Sequence, residues 1–158
     1  MQKITPFLWF NDRAQEAVDF YTSIFKDLKI TNTLRNGHNG PGEQGSILTV
    51  SFELFGQEFT ILNGGPGFVT PTMAVSFFVK CESQEEVDQY WDNLLEGGQA
   101  MQCGWLTDKF GVTWQIVPTL LMKLMGDKDA NKAQKVMQAM MKMVKLDIPT
   151  LQKAYDEA

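Results

Sequence analysis

The segment Gln15-Glu16-Ala17-Val18-Asp19-Phe20-Tyr21 returns 69 residues later as Gln84-Glu85-Glu86-Val87-Asp88-Gln89-Tyr90, identical at five of seven positions. A second echo aligns Gly56-Gln57-Glu58-Phe59-Thr60-Ile61-Leu62 with Gly111-Val112-Thr113-Trp114-Gln115-Ile116-Val117, in the same order along the chain. The chain therefore reads as an internal duplication. Each copy alone is too short to bury a sizeable core, so two copies pack together, and ligands usually sit in the cleft between or within such units.

With 158 residues, 44% of them apolar, the chain has enough material for one core without disulfides or a structural metal. One compact domain with a tail is expected. A net charge of -5 and the lack of any Lys/Arg cluster exclude a phosphate-backbone partner, which needs a clustered basic surface. Cys81 and Cys103 fall in predicted strand regions, as two reduced thiols of a reducing compartment. Met1-Gln2-Lys3-Ile4-Thr5-Pro6 lacks a signal-like apolar stretch, and no apolar run reaches spanning length, so a cytoplasmic protein is expected.

The aromatic run Ile4 to Phe10 predicts a strand, with Asn11 or Asp12 capping the helix that follows. In that helix Ala17, Val18, Tyr21, Ile24 and Phe25 recur at three- and four-residue spacing and make one buried stripe. Leu28 to Leu34 is a second strand. Glycines and Pro41 make 36–45 a loop. From Ile47 to Leu54 the residues alternate, with Leu48, Val50, Phe52 and Leu54 on one face and Thr49, Ser51 and Glu53 on the other. A hairpin turn at Phe55-Gly56-Gln57 leads to the strand Glu58 to Leu62, and Asn63-Gly64-Gly65-Pro66-Gly67 begins a linker.

The second copy repeats the order. A strand spans Met73 to Lys80, and a helix runs from Ser83 to Leu95 with a Ser83-Gln84-Glu85-Glu86 capping box, ended by Gly97 and Gly98. Short strands follow at Ala100 to Cys103 and Trp105 to Leu106, then an Asp108-Lys109-Phe110-Gly111 turn and the strand Val112 to Val117. Each half is β-α-β-β-β. After Pro118 the pattern turns helical, with Leu120, Leu121, Leu124 and Met125 in one segment, Ala133, Met137, Met140, Met141 and Val144 in the next, and a last helix opening near Pro149.

The paired units, the run Pro6-Phe7-Leu8-Trp9-Phe10 leading into Ala17-Val18-Asp19-Phe20-Tyr21, and the stretch from Cys103-Gly104-Trp105 through Trp114-Gln115-Ile116-Val117-Pro118 resemble one family. It is the PhnB-like branch of the glyoxalase/bleomycin-resistance/dioxygenase superfamily, the vicinal oxygen chelate proteins, often carrying the label 3-demethylubiquinone-9 3-methyltransferase. The likeness covers nearly the whole chain, including the Met-rich tail. It implies an α+β fold of tandem βαβββ repeats: repeat one at 1–63, a linker at 64–72, repeat two at 73–118, and a helical tail at 119–158 packed on the domain or at a dimer interface. It also implies a homodimer.

The resemblance further implies a divalent metal on cleft-facing positions of the first and last strand of each half, usually held by His and Glu. Carried onto this sequence, those positions are Thr5, Thr60, Ser76 (or Ala74, given a two-residue gap) and Gln115. Neutral hydroxyls and one amide do not hold a transition metal tightly, so no metal or other cofactor is expected. The single histidine, His38, sits in the glycine-rich loop. A methyltransferase using S-adenosylmethionine needs a glycine-rich turn opening a helix, and Asn63 to Gly67 leads instead into Phe68-Val69-Thr70-Pro71-Thr72, which reads as extended.

What remains is a cleft lined by Thr5, Phe7, Trp9, Thr49, Ser51, Glu53, Thr60, Ser76, Phe78 and Gln115, a mixture suited to a small organic ligand. Phe7, Trp9 and Phe78 serve either as its apolar wall or as core packing. Glu53 is either a general base or a solvated strand-edge acid. Cys103 has no basic neighbour to activate it and is expected to be a buried structural thiol. Two functions stay open: a metal-free small-molecule binder, and an enzyme of unassigned reaction on a small metabolite (lyase, dioxygenase or, less in keeping with the residues, methyltransferase). The partners expected are a small organic molecule and a second copy of the chain, with no nucleic acid and no membrane.

Overall fold

A computed structural model describes residues 3–66 and 72–158. The chain divides into two compact units, Met1–Thr70 and Pro71–Ala158. The expected extended run from Phe68 to Pro71, and Gly67 before it, lie outside the described residues.

In the first unit β1 (Phe7–Phe10), α1 (Ala14–Ile24), β2 (Lys29–Arg35), β3 (Ile47–Leu54) and β4 (Gln57–Asn63) form a sheet of order β1-β4-β3-β2 backed by the helix. β1 runs parallel to β4, and the other pairs are antiparallel. The helix buries Ala14, Ala17, Val18, Tyr21 and Ile24. Those residues recur every third or fourth position, so one stripe meets the sheet face that carries Val50, Phe52 and Ile61. Phe52 lies opposite Phe59, and their rings stack at 5.3 Å between centroids. The strand expected from Ile4 begins only at Phe7.

The cap of α1 differs from the expectation. Arg13, not Asn11 or Asp12, is the N-cap residue, and it supplies no side-chain cap. Instead the Ala14 amide donates to Asn63 Oδ1 at 2.9 Å. Parallel pairing of β1 with β4 brings the end of β4 to the start of the helix, so a residue 49 positions away satisfies the orphan donor.

The second unit repeats the arrangement with β5 (Phe77–Cys81), α2 (Gln84–Leu94), β6 (Gln99–Ala100), β7 (Trp105–Thr107) and β8 (Thr113–Pro118), in the order β5-β8-β7-β6. Again the first and last strands are parallel neighbours. Ser83 caps α2, its Oγ accepting from the Glu86 amide at 3.3 Å, while the Glu86 carboxylate reaches one residue further back, to the Glu82 amide at 2.6 Å. Two strands are shorter than expected. β5 starts at Phe77 rather than Met73, and β6 covers only Gln99–Ala100; Cys103 adopts φ 62° in a turn, outside any strand and only partly buried.

The tail forms α3 (Thr119–Met125), α4 (Ala130–Met140) and α5 (Ile148–Asp156). Leu121, Leu124, Val136, Leu146 and Leu151 make a core with Val117 of β8. Gln84 of α2 clasps the tail: its Nε2 donates to the Leu146 carbonyl at 3.2 Å and its Oε1 accepts from the Ile148 amide at 2.7 Å. Lys145 adds ion pairs to Asp88 at 2.9 Å and Asp92 at 3.3 Å, and its hydrogen bond holds the Asp88 carboxyl below its usual range. The expected methionine stripe is divided. α4 ends at Met140 and turns Val136 inward, leaving Met137, Met141 and Val144 exposed by 43%, 60% and 45%.

Candidate functional site

Strand alternation and pairing decide which side chains share a face. In the first unit Phe7 lies opposite Thr60, which lies opposite Ser51; one step along, Trp9 lies opposite Leu62 and then Thr49. Phe7, Trp9, Thr60, Ser51 and Thr49 therefore stand on one face, away from α1. Thr60 is buried, and its hydroxyl shares a 2.9 Å hydrogen bond with Ser51. Thr5 Oγ1 donates to the Glu58 carboxylate at 3.4 Å. Glu53 is partly exposed on this face, opposite both Lys29 and Glu58.

The second unit has the matching row. Phe78 lies opposite Gln115, which lies opposite Trp105, and Gln115 Nε2 donates to Ser76 Oγ at 2.8 Å. Thr60 and Gln115 each stand four residues after a turn glycine with positive φ, Gly56 (76°) and Gly111 (82°). Phe7 and Phe78 pair with those positions, so the register equates Thr5 with Ser76 and not with Ala74.

Trp9 is held from two sides. Its indole Nε1 donates to the Gly65 carbonyl at 3.1 Å, and a Cβ on Gly64 would collide with the ring at Cε2 and Cζ2. The glycine pair that ends β4 thus makes the seat of Trp9. Sequence reasoning assigned it to a linker. With the ring fixed and 38% exposed, Trp9 forms one wall of a pocket of about 580 Å³ where β1 and β4 both end. Asn11, Asp12, Gln15, Asn36 and Asn63 contribute to its lining.

None of those five was expected at a site. Asn36 is 6% exposed and closes the glycine-rich loop, accepting from the Gly42 amide at 3.3 Å and donating to Ser46 Oγ at 2.9 Å. An asparagine immediately before a glycine-rich stretch was the available signal, since its short amide bonds nearby backbone. His38 lies in the same loop, exposed, with Nδ1 3.3 Å from Gln44 Oε1. Phe7 and Phe78 are 59% and 43% exposed, so neither is core packing.

The donors at Thr5, Thr60, Ser76 and Gln115 do not fit a transition metal. All are neutral, and each is engaged with another side chain. Among the described residues no three His, Cys, Asp or Glu side chains converge. A second pocket, of about 420 Å³, is lined in part by Thr107, Asp108, Lys109 and Thr113 of the second unit, and none of the expected residues reaches it.

Residues 2–117 match the model of the 3-demethylubiquinone-9 3-methyltransferase family. The chain belongs to that family. It is the PhnB-like branch of the glyoxalase, or vicinal oxygen chelate, superfamily. The PhnB protein of Bacillus cereus is 38% identical over 75% of this chain and 100% of its own, with a TM-score of 0.68. A Pseudomonas aeruginosa protein that is 21% identical, covering 75% of this chain and 98% of its own at a TM-score of 0.64, shares the fold. No curated protein matches the chain. The family match ends at Val117, so α3, α4 and α5 lie beyond it. No described helix is long and apolar enough to cross a membrane.

Proposed function

We propose that this PhnB-like protein binds a small organic molecule at the face carrying Thr5, Phe7, Trp9 and Thr60, and does so without a transition metal. Ser76, Phe78 and Gln115 are the equivalent ligand-binding positions of the second repeat. The observation that carries the proposal is the fixed, half-exposed Trp9 ring opening into a pocket of about 580 Å³, within the size range of small-molecule sites. A pinned aromatic wall binds with little loss of side-chain freedom. Thr60 and Ser51 stand on the same sheet face but outside the lining of that pocket, to which Trp9 alone of the proposed face residues contributes. As hydrogen-bonded neutral groups they suit a ligand that extends along the face without the desolvation cost of a buried charge.

The methyltransferase reading gains no support from Gly64 and Gly65, because that pair seats Trp9. A second reading, an enzyme on a small metabolite, rests on Glu53, a carboxylate on the same face as Thr60. Thermal-shift screening of metabolites and hydrophobic antibiotics against the parent, Trp9→Ala and Glu53→Gln separates the two. A ligand that stabilises the parent and Glu53→Gln but not Trp9→Ala supports the binder; turnover lost in Glu53→Gln supports the enzyme.

We further propose a cytoplasmic homodimer with repeats at 1–63 and 73–118 joined by a linker at 64–72. The exposed Met137, Met141 and Val144 of the 119–158 tail are its proposed contact. Removing the chain after Pro118 should yield a monomer or an insoluble product, and a soluble, folded dimer from that truncation would exclude the tail as the interface.

A further inference from the structure

The polar groups around Trp9 have a common character. Asn11, Gln15, Asn36 and Asn63 are carboxamides, and among the described residues Asp12 is the one carboxylate and no Lys, Arg or His lines the pocket. The two nearest guanidinium groups are held elsewhere: Arg13 forks onto Glu16, and Arg35 donates to the Gly45 carbonyl at 2.9 Å. A phosphate or carboxylate ligand would meet the Asp12 carboxylate, which opposes the pull of the α1 N-terminus, with no cationic side chain among the described lining residues to neutralise it. An organic cation would meet the positive end of α1, whose first turn begins just beyond Asp12.

We infer that the Trp9 pocket takes a neutral, hydroxyl-rich molecule with one apolar face, a sugar or sugar-like polyol; the inference rests on the reading of that pocket as a binding site. A carboxamide both donates and accepts, as a hydroxyl does, so a wall of carboxamides matches hydroxyls whichever way their protons point. Three of the four are already engaged: Gln15 Nε2 donates to Asp19 Oδ1 at 2.7 Å. Asn63 binds the Ala14 amide and the Ile47 carbonyl, and Asn36 closes its loop. Asn11 and Asp12 are exposed at the pocket, and their side chains have no hydrogen-bond partner among the described residues, so they are the groups free to meet ligand hydroxyls. The indole supplies the apolar half. Gly64 packs against the ring and Gly65 holds its N–H, so the ring is presented in one orientation to the C–H face of a pyranose or cyclitol.

The test is the Trp9 indole N–H resonance of the ¹⁵N-labelled full chain, assigned by its loss in Trp9→Phe. Glucose, maltose and myo-inositol are titrated separately, beside choline as an organic cation, 3-phosphoglycerate as an anion and indole as a planar apolar probe. At least one of the three polyols should move the resonance saturably, with affinity falling about tenfold in Asn11→Ala or Asp12→Ala, the loss of roughly one hydrogen bond. Saturation by choline, 3-phosphoglycerate or indole and by none of the polyols overturns the ligand class while leaving the pocket as a site. Silence towards all six probes overturns both. Polyol binding unchanged in Asn11→Ala and Asp12→Ala overturns the recognition described.

Discussion

Asp108 should be among the most costly residues to replace in the second repeat. It is 3% exposed, and its carboxylate accepts from the Phe110 amide at 2.9 Å, the Val112 amide at 3.0 Å and Trp114 Nε1 at 2.9 Å. These bonds close the turn between β7 and β8 and fix the strand that carries Gln115. In Asp108→Ala the two half-buried amides recover water at a cost of about 1 kcal/mol each, whereas the buried indole N–H is stranded at about 1–3 kcal/mol. The sum, about 3–5 kcal/mol, corresponds to a fall in Tm of roughly 6–20 °C for a chain of this size. Urea unfolding followed by tryptophan fluorescence measures it, and a cycle with Trp114→Phe isolates the indole bond, with an expected coupling of about 1–2 kcal/mol. Destabilisation below about 0.5 kcal/mol, or strict additivity in the cycle, would show that Asp108 does not hold the turn, since a surface-like substitution behaves that way.

Cys81 is pushed up from 9.0 to about 12, chiefly by burial and then by the charge of Glu86, so the folded state holds its proton while the unfolded state releases it. Its stabilising contribution is complete below about pH 9 and is lost as pH climbs towards about 12; urea midpoints across that window should fall less steeply in Cys81→Ala than in the parent. Gln84→Ala leaves the Leu146 carbonyl and Ile148 amide without their partner, and should cost about 1–3 kcal/mol and raise amide exchange in α5 before that in α2. Gln115→Leu keeps the shape but removes the hydrogen bond to Ser76; it should retain the fold and weaken ligand binding by about 1–3 kcal/mol, with equal binding showing that Gln115 is no anchor.

The duplication was legible because its signals are local. Glycines at 56 and 111 carry the positive φ that each hairpin requires, and the alternation from Ile47 to Leu54 assigned both faces of β3. The shared sheet face was legible in the sequence, but the pocket beside Trp9 was not. Phe7, Trp9, Thr60 and Ser51 follow from strand period alone, whereas Asn36, Asn63 and Gly64 join Trp9 only through the parallel pairing of β1 with β4, whose partners lie 53 residues apart. The cap from Asn63 to Ala14 was hidden for the same reason. At Cys103 period failed differently: Cys103 and Gly104 both adopt positive φ, 62° and 81°, in a turn that hydropathy read as strand.

A small molecule is proposed to bind at Trp9 without a transition metal. Isothermal titration of a ligand found by thermal-shift screening, performed in EDTA with the parent and with Trp9→Ala, tests it most directly. The expected result is binding to the parent that EDTA leaves unchanged and that Trp9→Ala weakens at least about tenfold, consistent with loss of a buried aromatic contact. Binding abolished by EDTA and restored by Mn²⁺ or Zn²⁺ would make the site metal-dependent, and binding to Trp9→Ala as tight as to the parent would place the ligand elsewhere.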